Sequence, residues 1–93
     1  MKGLIQKLKE SIIQQKIIRR LEKNGWYVIK LIQTNKNGIA DLCALKNGKV
    51  VFMEVKRANL QPTLLQAFRA KELAQKGFIT LIVHDIKDIE HLC

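Results

Sequence analysis

Three residues of this sequence combine chemically useful types at an informative spacing: Asp41, Glu54 and Lys56. Glu54 and Lys56 stand two apart at the end of Val50-Val51-Phe52-Met53-Glu54-Val55-Lys56, a run whose first four residues are apolar. In a strand, residues two apart share a face, so the acid and the amine project together with Val50 and Phe52, while Val51, Met53 and Val55 take the other side. Both faces read as buried, and burying charge is costly unless it is paired or holds an ion. A Glu–Lys pair at a frayed, solvated strand end is the plainer alternative, and Asp41 weighs against it. Lys46-Asn47-Gly48-Lys49 reads as a tight hairpin turn, because Asn-Gly tolerates the positive φ angles of a two-residue connection. Folding the chain about that turn sets Asp41 directly opposite Glu54 on one face. Opposed carboxylates repel, a cost that a shared divalent cation removes. Oxygen donors of this kind suit a hard ion such as Mg²⁺ or Mn²⁺, which keeps several waters. Lys56 beside it would orient or help deprotonate a water, or counter charge gathering on a phosphate.

The elements that must position these groups follow from hydrophobic spacing. Leu4, Ile5, Leu8, Ile12, Ile13, Ile17, Ile18 and Leu21 recur at helical intervals, and Asn24-Gly25 is a stop signal. Trp26 to Ile32 reads as a strand, and Gln33 to Gly38 as a polar loop. Ala40 to Leu45 and Lys49 to Lys56 form the hairpin. Pro62 suits the first turn of a second helix, whose apolar stripe Leu64, Leu65, Phe68 and Leu73 runs to a stop at Gly77. Phe78 to Val83 reads as a strand, and Asp85 and Asp88 would cap a short final helix. The order is α-β-β-β-α-β-α. A helix between the third and fourth strands makes their pairing parallel, so the expected fold is α/β, a mixed four-stranded sheet flanked by helices.

Length and composition bound the partners. At 93 residues and 47% hydrophobic, the chain is expected to be a single domain spanning 1–93. Its apolar runs are too short for a bilayer, where roughly 20 residues are needed, and the expectation is a cytoplasmic protein with no membrane partner. Cys43 and Cys93 form neither a zinc-ligand spacing nor a disulfide framework and are expected to be free thiols. His84 and His91 accompany an acidic C-terminal run and read as surface or cap residues. The formal charge is +9, and the first 24 residues carry seven Lys or Arg against two Glu. Such an excess attracts polyanions, with nucleic acid as the leading class. An anionic lipid surface or a merely solvated face would also accommodate it. Lys7, Lys9, Lys36 and Arg57 lie nearest the acids and are the candidate phosphate contacts, which position DNA without reading its bases.

Gly38-Ile39-Ala40-Asp41, twelve residues, then Glu54-Val55-Lys56 resembles the PD-(D/E)XK nuclease core, and the element order resembles its restriction-endonuclease-like fold. More narrowly the chain is similar to the VRR-NUC family, which runs from a helical Glu through a Gly-x-Pro-Asp turn and a Glu-x-Lys strand to a Gln on the next helix. Glu10 precedes Ile13, Ile17, Leu21 and Gly25 at the family's four-residue steps, and Gln66 lies ten residues beyond Lys56. Ala40 departs from the family's usual proline and relaxes the turn before Asp41 without removing a ligand. The resemblance implies hydrolysis of DNA phosphodiesters dependent on Mg²⁺ or Mn²⁺, with Asp41, Glu54 and the Val55 carbonyl on the metal and Lys56 handling the water. It implies an outer or second-metal role for Glu10 and a supporting one for Gln66, positions that by themselves read as a solvated acid and a partly buried amide. It further implies a stand-alone, phage-type, homodimeric endonuclease selective for branched DNA such as Holliday junctions. A non-catalytic, basic nucleic-acid-binding module on the same fold is the alternative.

Overall fold

The computed structural model describes the backbone of residues 2–93 and the side chains of residues 9–93. Lys7, one of the candidate phosphate contacts, lies outside the described side chains. The elements, in chain order, are α1 (Lys2–Lys23), β1 (Tyr27–Lys30), β2 (Leu42–Lys46), β3 (Lys49–Val55), α2 (Leu64–Gln75), β4 (Ile79–Val83) and a 3-10 helix (Ile86–Leu92). The sheet order is β1-β2-β3-β4, antiparallel between the first three strands and parallel between β3 and β4. This is the expected α/β arrangement, a mixed four-stranded sheet with flanking helices. No described helix is long and apolar enough to cross a membrane.

Helix α1 lies on the sheet face formed by Val51, Met53 and Val55. Ile17 and Leu21, one turn apart on its buried stripe, are fully enclosed with Leu42, Met53, Val83 and Ile89. The stripe is narrower than the spacing alone predicts, because Ile12 is exposed. At its end the Trp26 N–H donates back to the Leu21 carbonyl across Asn24-Gly25. Trp26 is buried, and its indole N–H donates to the Leu92 carbonyl 3.0 Å away, drawing the 3-10 helix onto the core. Asp85 caps that helix reciprocally with Asp88, so its start falls where the acidic pair predicts.

The hairpin has the anticipated register. Asn47 (φ 50°) and Gly48 (φ 79°) both occupy the left-handed region that a tight twisted turn demands, and Leu42 pairs with Met53, Cys43 with Phe52 and Ala44 with Val51.

Strands β3 and β4 are each one residue shorter than the sequence reading, ending at Val55 and beginning at Ile79, and three larger differences bear on the site. Regular pairing of β1 ends at Lys30 rather than Ile32, after which the chain enters the loop toward Asp41. Strand β2 begins at Leu42, so Ala40 and Asp41 belong to its entry. Helix α2 begins after Thr63 rather than with Pro62 in its first turn, because the Thr63 hydroxyl accepts the Gln66 N–H while the Gln66 side chain accepts the Thr63 N–H. The stripe on α2 is also not core: Leu64, Leu65 and Phe68 are exposed, and no residue of the helix is buried.

Candidate active site

Continued one step past Leu42–Met53, the β2–β3 register sets Asp41 against Glu54. Asp41 is held there by the backbone on both sides. Its carbonyl accepts the Leu31 N–H at 2.8 Å, and its carboxylate Oδ2 accepts the Val55 N–H, also at 2.8 Å. The N–H and C=O of an extended residue leave the strand on the same side, so the Val55 carbonyl also faces the Asp41 side of β3. Gly38 lets α2 close over this turn: a Cβ there would lie 2.6 Å from Leu65 Cγ. Ala40, at the position where the similar family has proline, is buried in this turn.

Glu54 is only 3% exposed. Its Oε2 accepts a 2.8 Å hydrogen bond from Gln66 Nε2 and lies 3.6 Å from Lys56 Nζ. Its Oε1 is buried and has no partner among the described residues. The capping box decides which way the Gln66 amide faces: the Thr63 N–H occupies Oε1, which leaves Nε2 for Glu54. Gln66 therefore supports Glu54, the supporting role that the resemblance implies.

The electrostatics follow from this crowding. Burial and the neighbouring Asp41 push the Glu54 carboxyl up to about 8, with Lys56 pulling the other way. Burial also raises Asp41, offset in part by the Val55 N–H and by Lys56, and reinforced by the charge of Glu10. Without a cation the two acids hold on to a proton. That is the condition a divalent ion relieves, and the unpartnered Glu54 Oε1 is an oxygen still in need of a partner. Among the described residues no third His, Cys, Asp or Glu completes a cage with them. Two carboxylates and a carbonyl are a partial set, of the kind Mg²⁺ accepts when water and phosphate oxygens fill the remaining positions.

Glu10 is half-buried on α1. Its Oε2 makes a long 3.5 Å contact with the Arg57 N–H, and it is not bonded to Asp41 or Glu54. Lys9 is exposed one residue before it, and Arg57 is half-buried immediately after Lys56, so both flank the site. Lys36 is exposed in the loop before Asp41. One participant escaped the sequence reading. His84, expected at an ordinary surface position, sets its ring Nδ1 3.1 Å from the Lys56 carbonyl and 3.2 Å from the Arg57 carbonyl. The available signal was its place just after the strand that pairs in parallel with β3. There the Lys56 N–H already bonds the Val83 carbonyl, which brings the following residue alongside Lys56 and Arg57.

No protein-family model matches the chain. Over 86 residues, 91% of each chain, it is 29% identical to a protein named "Putative nuclease p44" from Acyrthosiphon pisum secondary endosymbiont phage 1. A solved structure described as a VRR_NUC domain superposes with a TM-score of 0.79 at 29% identity, covering 90% of this chain and 92% of that one. A second, described as a VRR_NUC domain protein, superposes at 0.73 and 16% identity over 89% of this chain and 83% of its own, a likeness of fold. With the architecture shared over nine-tenths of its length and an acid pair, lysine and supporting glutamine gathered at one end of the sheet, the chain is similar in fold and sequence to a VRR_NUC domain and in sequence to a phage protein named as a nuclease.

Proposed function

We propose that this chain is an endonuclease that hydrolyses DNA phosphodiester bonds with Mg²⁺ or Mn²⁺. The observation that carries the reading is the meeting of Asp41 and Glu54 across the hairpin with Lys56 Nζ 3.6 Å from the Glu54 carboxylate. The nuclease name of the phage relative supports it. Asp41, Glu54 and the Val55 carbonyl would hold the cation, which when bound supplies Lewis-acid polarisation of the phosphate and a more acidic water. The remaining work belongs to the chain. Gln66 keeps Glu54 aimed at the site. Lys56, held against Glu54 and mostly enclosed, offers a fixed positive charge where negative charge builds on the phosphate, without reorganisation at the moment of reaction. Glu10 extends the acidic wall from α1 as an outer or second-ion acid. Lys9, Lys36 and Arg57 grip the backbone of the DNA, which makes selectivity a matter of shape.

The substrate is branched DNA, four-way junctions foremost, cut by a homodimer in the cytoplasm of the cell that carries the gene. One chain has one such site, and opposed cuts at a junction need two. The test is a labelled junction and a linear duplex of the same sequence, each incubated with purified chain in chelator and across a Mg²⁺ and Mn²⁺ titration. Metal-dependent nicking of the junction in preference to the duplex is expected, with a dimer in sedimentation equilibrium. Binding without fragments at any metal concentration would leave only a basic DNA-binding module.

A further inference from the structure

A cavity of about 530 Å³ opens between α1 and the stretch that follows β3, lined by Lys9, Ile12, Ile13, Arg57, Asn59 and His84. We infer that it seats one nucleotide of a bound DNA strand, with the phosphate on Arg57 and Lys9 and the sugar and base against His84 and the two isoleucines. The inference rests on the nuclease reading for the identity of the strand and adds a second point of grip to it.

Three features of the cavity wall converge. Among the described residues the buried Arg57 Nε has no hydrogen-bond partner and its guanidinium no ion pair. An always-charged group so placed lacks an acceptor, and a phosphate matches its fork of donors. His84 is oriented for another part of the nucleotide: both atoms near its Nδ1 are carbonyl oxygens, which only accept, so the ring proton sits on Nδ1 and Nε2 is left as an acceptor for an N–H or O–H of the base or sugar. Lys9 adds an exposed ammonium at the rim. The apolar wall decides the rest. Ile12 is 54% exposed on a helix whose other described apolar stripe residues are enclosed or half-buried, and it faces the same space as the cations. A volume in the range of small-molecule sites, charged on one side and aliphatic on the other, fits a nucleotide better than a bare anion. Because Arg57 directly follows Lys56, a strand reacting at Lys56 has its neighbouring nucleotide within reach of the cavity.

The test uses thymidine 5′-monophosphate and inorganic phosphate as separate probes of the chelator-treated full chain, followed by NMR chemical shifts. Thymidine monophosphate should bind at least about tenfold more tightly than phosphate, with the largest shifts on residues 9–13, 57–59 and 84. Arg57→Gln should weaken it by about tenfold, and His84→Asn, whose amide can still donate to the two carbonyls, by about threefold. Ile12→Ser, at an exposed position that folding does not need, should weaken the nucleotide by about threefold and leave phosphate unchanged. A (dT)₆ strand should displace the mononucleotide, which assigns the seat to DNA; failure to displace it would reassign the cavity to free nucleotides and overturn the proposal. Equal affinity for nucleotide and phosphate, or no effect of Arg57→Gln in a chain with unchanged circular dichroism, would also overturn it. The nuclease reading fails separately: Lys56→Ala should keep nucleotide binding while losing metal-dependent cutting, so cutting without binding sinks only the cavity, and binding without cutting only the nuclease.

Discussion

The face of the sheet under α1 and the face under α2 are covered to very different extents. Beneath α1, Val51, Met53 and Val55 are shut in by Ile17 and Leu21 from the helix, by Leu42, Ala44 and Val83 from the neighbouring strands, and by Ile89. On the other side, Phe52 meets Phe78 edge-on at 6.4 Å, but α2 buries none of its own residues and leaves Leu64 92% exposed. The same strand β3 therefore carries cohesion on one face and the charged pair on the other. The contrast teaches that the acids do not sit in a dry core. They occupy the covered corner of an otherwise open face, where a helix end supplies one amide and a large substrate can approach.

The sharpest break in that contrast comes from the charged corner. Lys56→Ala or Asp41→Asn should lower the rate of DNA cutting by about a thousandfold or more, read as initial nicking rates, with thermal unfolding little changed. Cutting that persists in both would remove the site. On the dry face, Met53→Ala should cost about 2–4 kcal/mol in urea unfolding, because Met53 is fully enclosed and leaves a cavity.

The pH dependence separates the faces next. The Glu54 carboxyl is raised from 4.5 to about 8 in the folded chain, so the native state holds its proton more tightly than the unfolded one. The stability tied to that proton is fully present below pH 4.5 and is lost as pH rises through about 8. The metal-free chain should lose stability across that window, read as urea unfolding at a series of pH values, and Mg²⁺ should restore part of it. Glu54→Gln should flatten this profile and abolish the stabilisation by metal. Smaller effects belong to α2. Thr63→Ala should cost about 1 kcal/mol by removing the hydroxyl that caps the helix and steadies the Gln66 end, with Thr63→Ser restoring it. Phe68→Ser, exposed on the open face, should change stability by no more than about 0.5 kcal/mol.

Much of this was legible in residue types and spacing. Asn47-Gly48 dictated the hairpin register, the register opposed Asp41 to Glu54, and the two-residue step brought Lys56 to Glu54. Each of these is a short-range consequence of backbone geometry, with few competing solutions. The stripe on α2 misled because periodicity marks a face that can be buried and is silent on whether anything covers it. Gln66 was identified by resemblance, yet its partner was not, since the amide's direction depends on Thr63 satisfying one end and Glu54 the other.

By itself the sequence determined the order of elements along the chain, the hairpin pairing and the presence of two acids and an amine on one face, because turn chemistry and the period of two act over a few residues. Only the tertiary structure decided that Glu54 is enclosed with an unpartnered oxygen, that His84 reaches back to Lys56 and Arg57, and that a cavity opens between α1 and Arg57. Those facts depend on how segments far apart in the chain approach one another, which is set by the packing of the whole core and not by any local pattern.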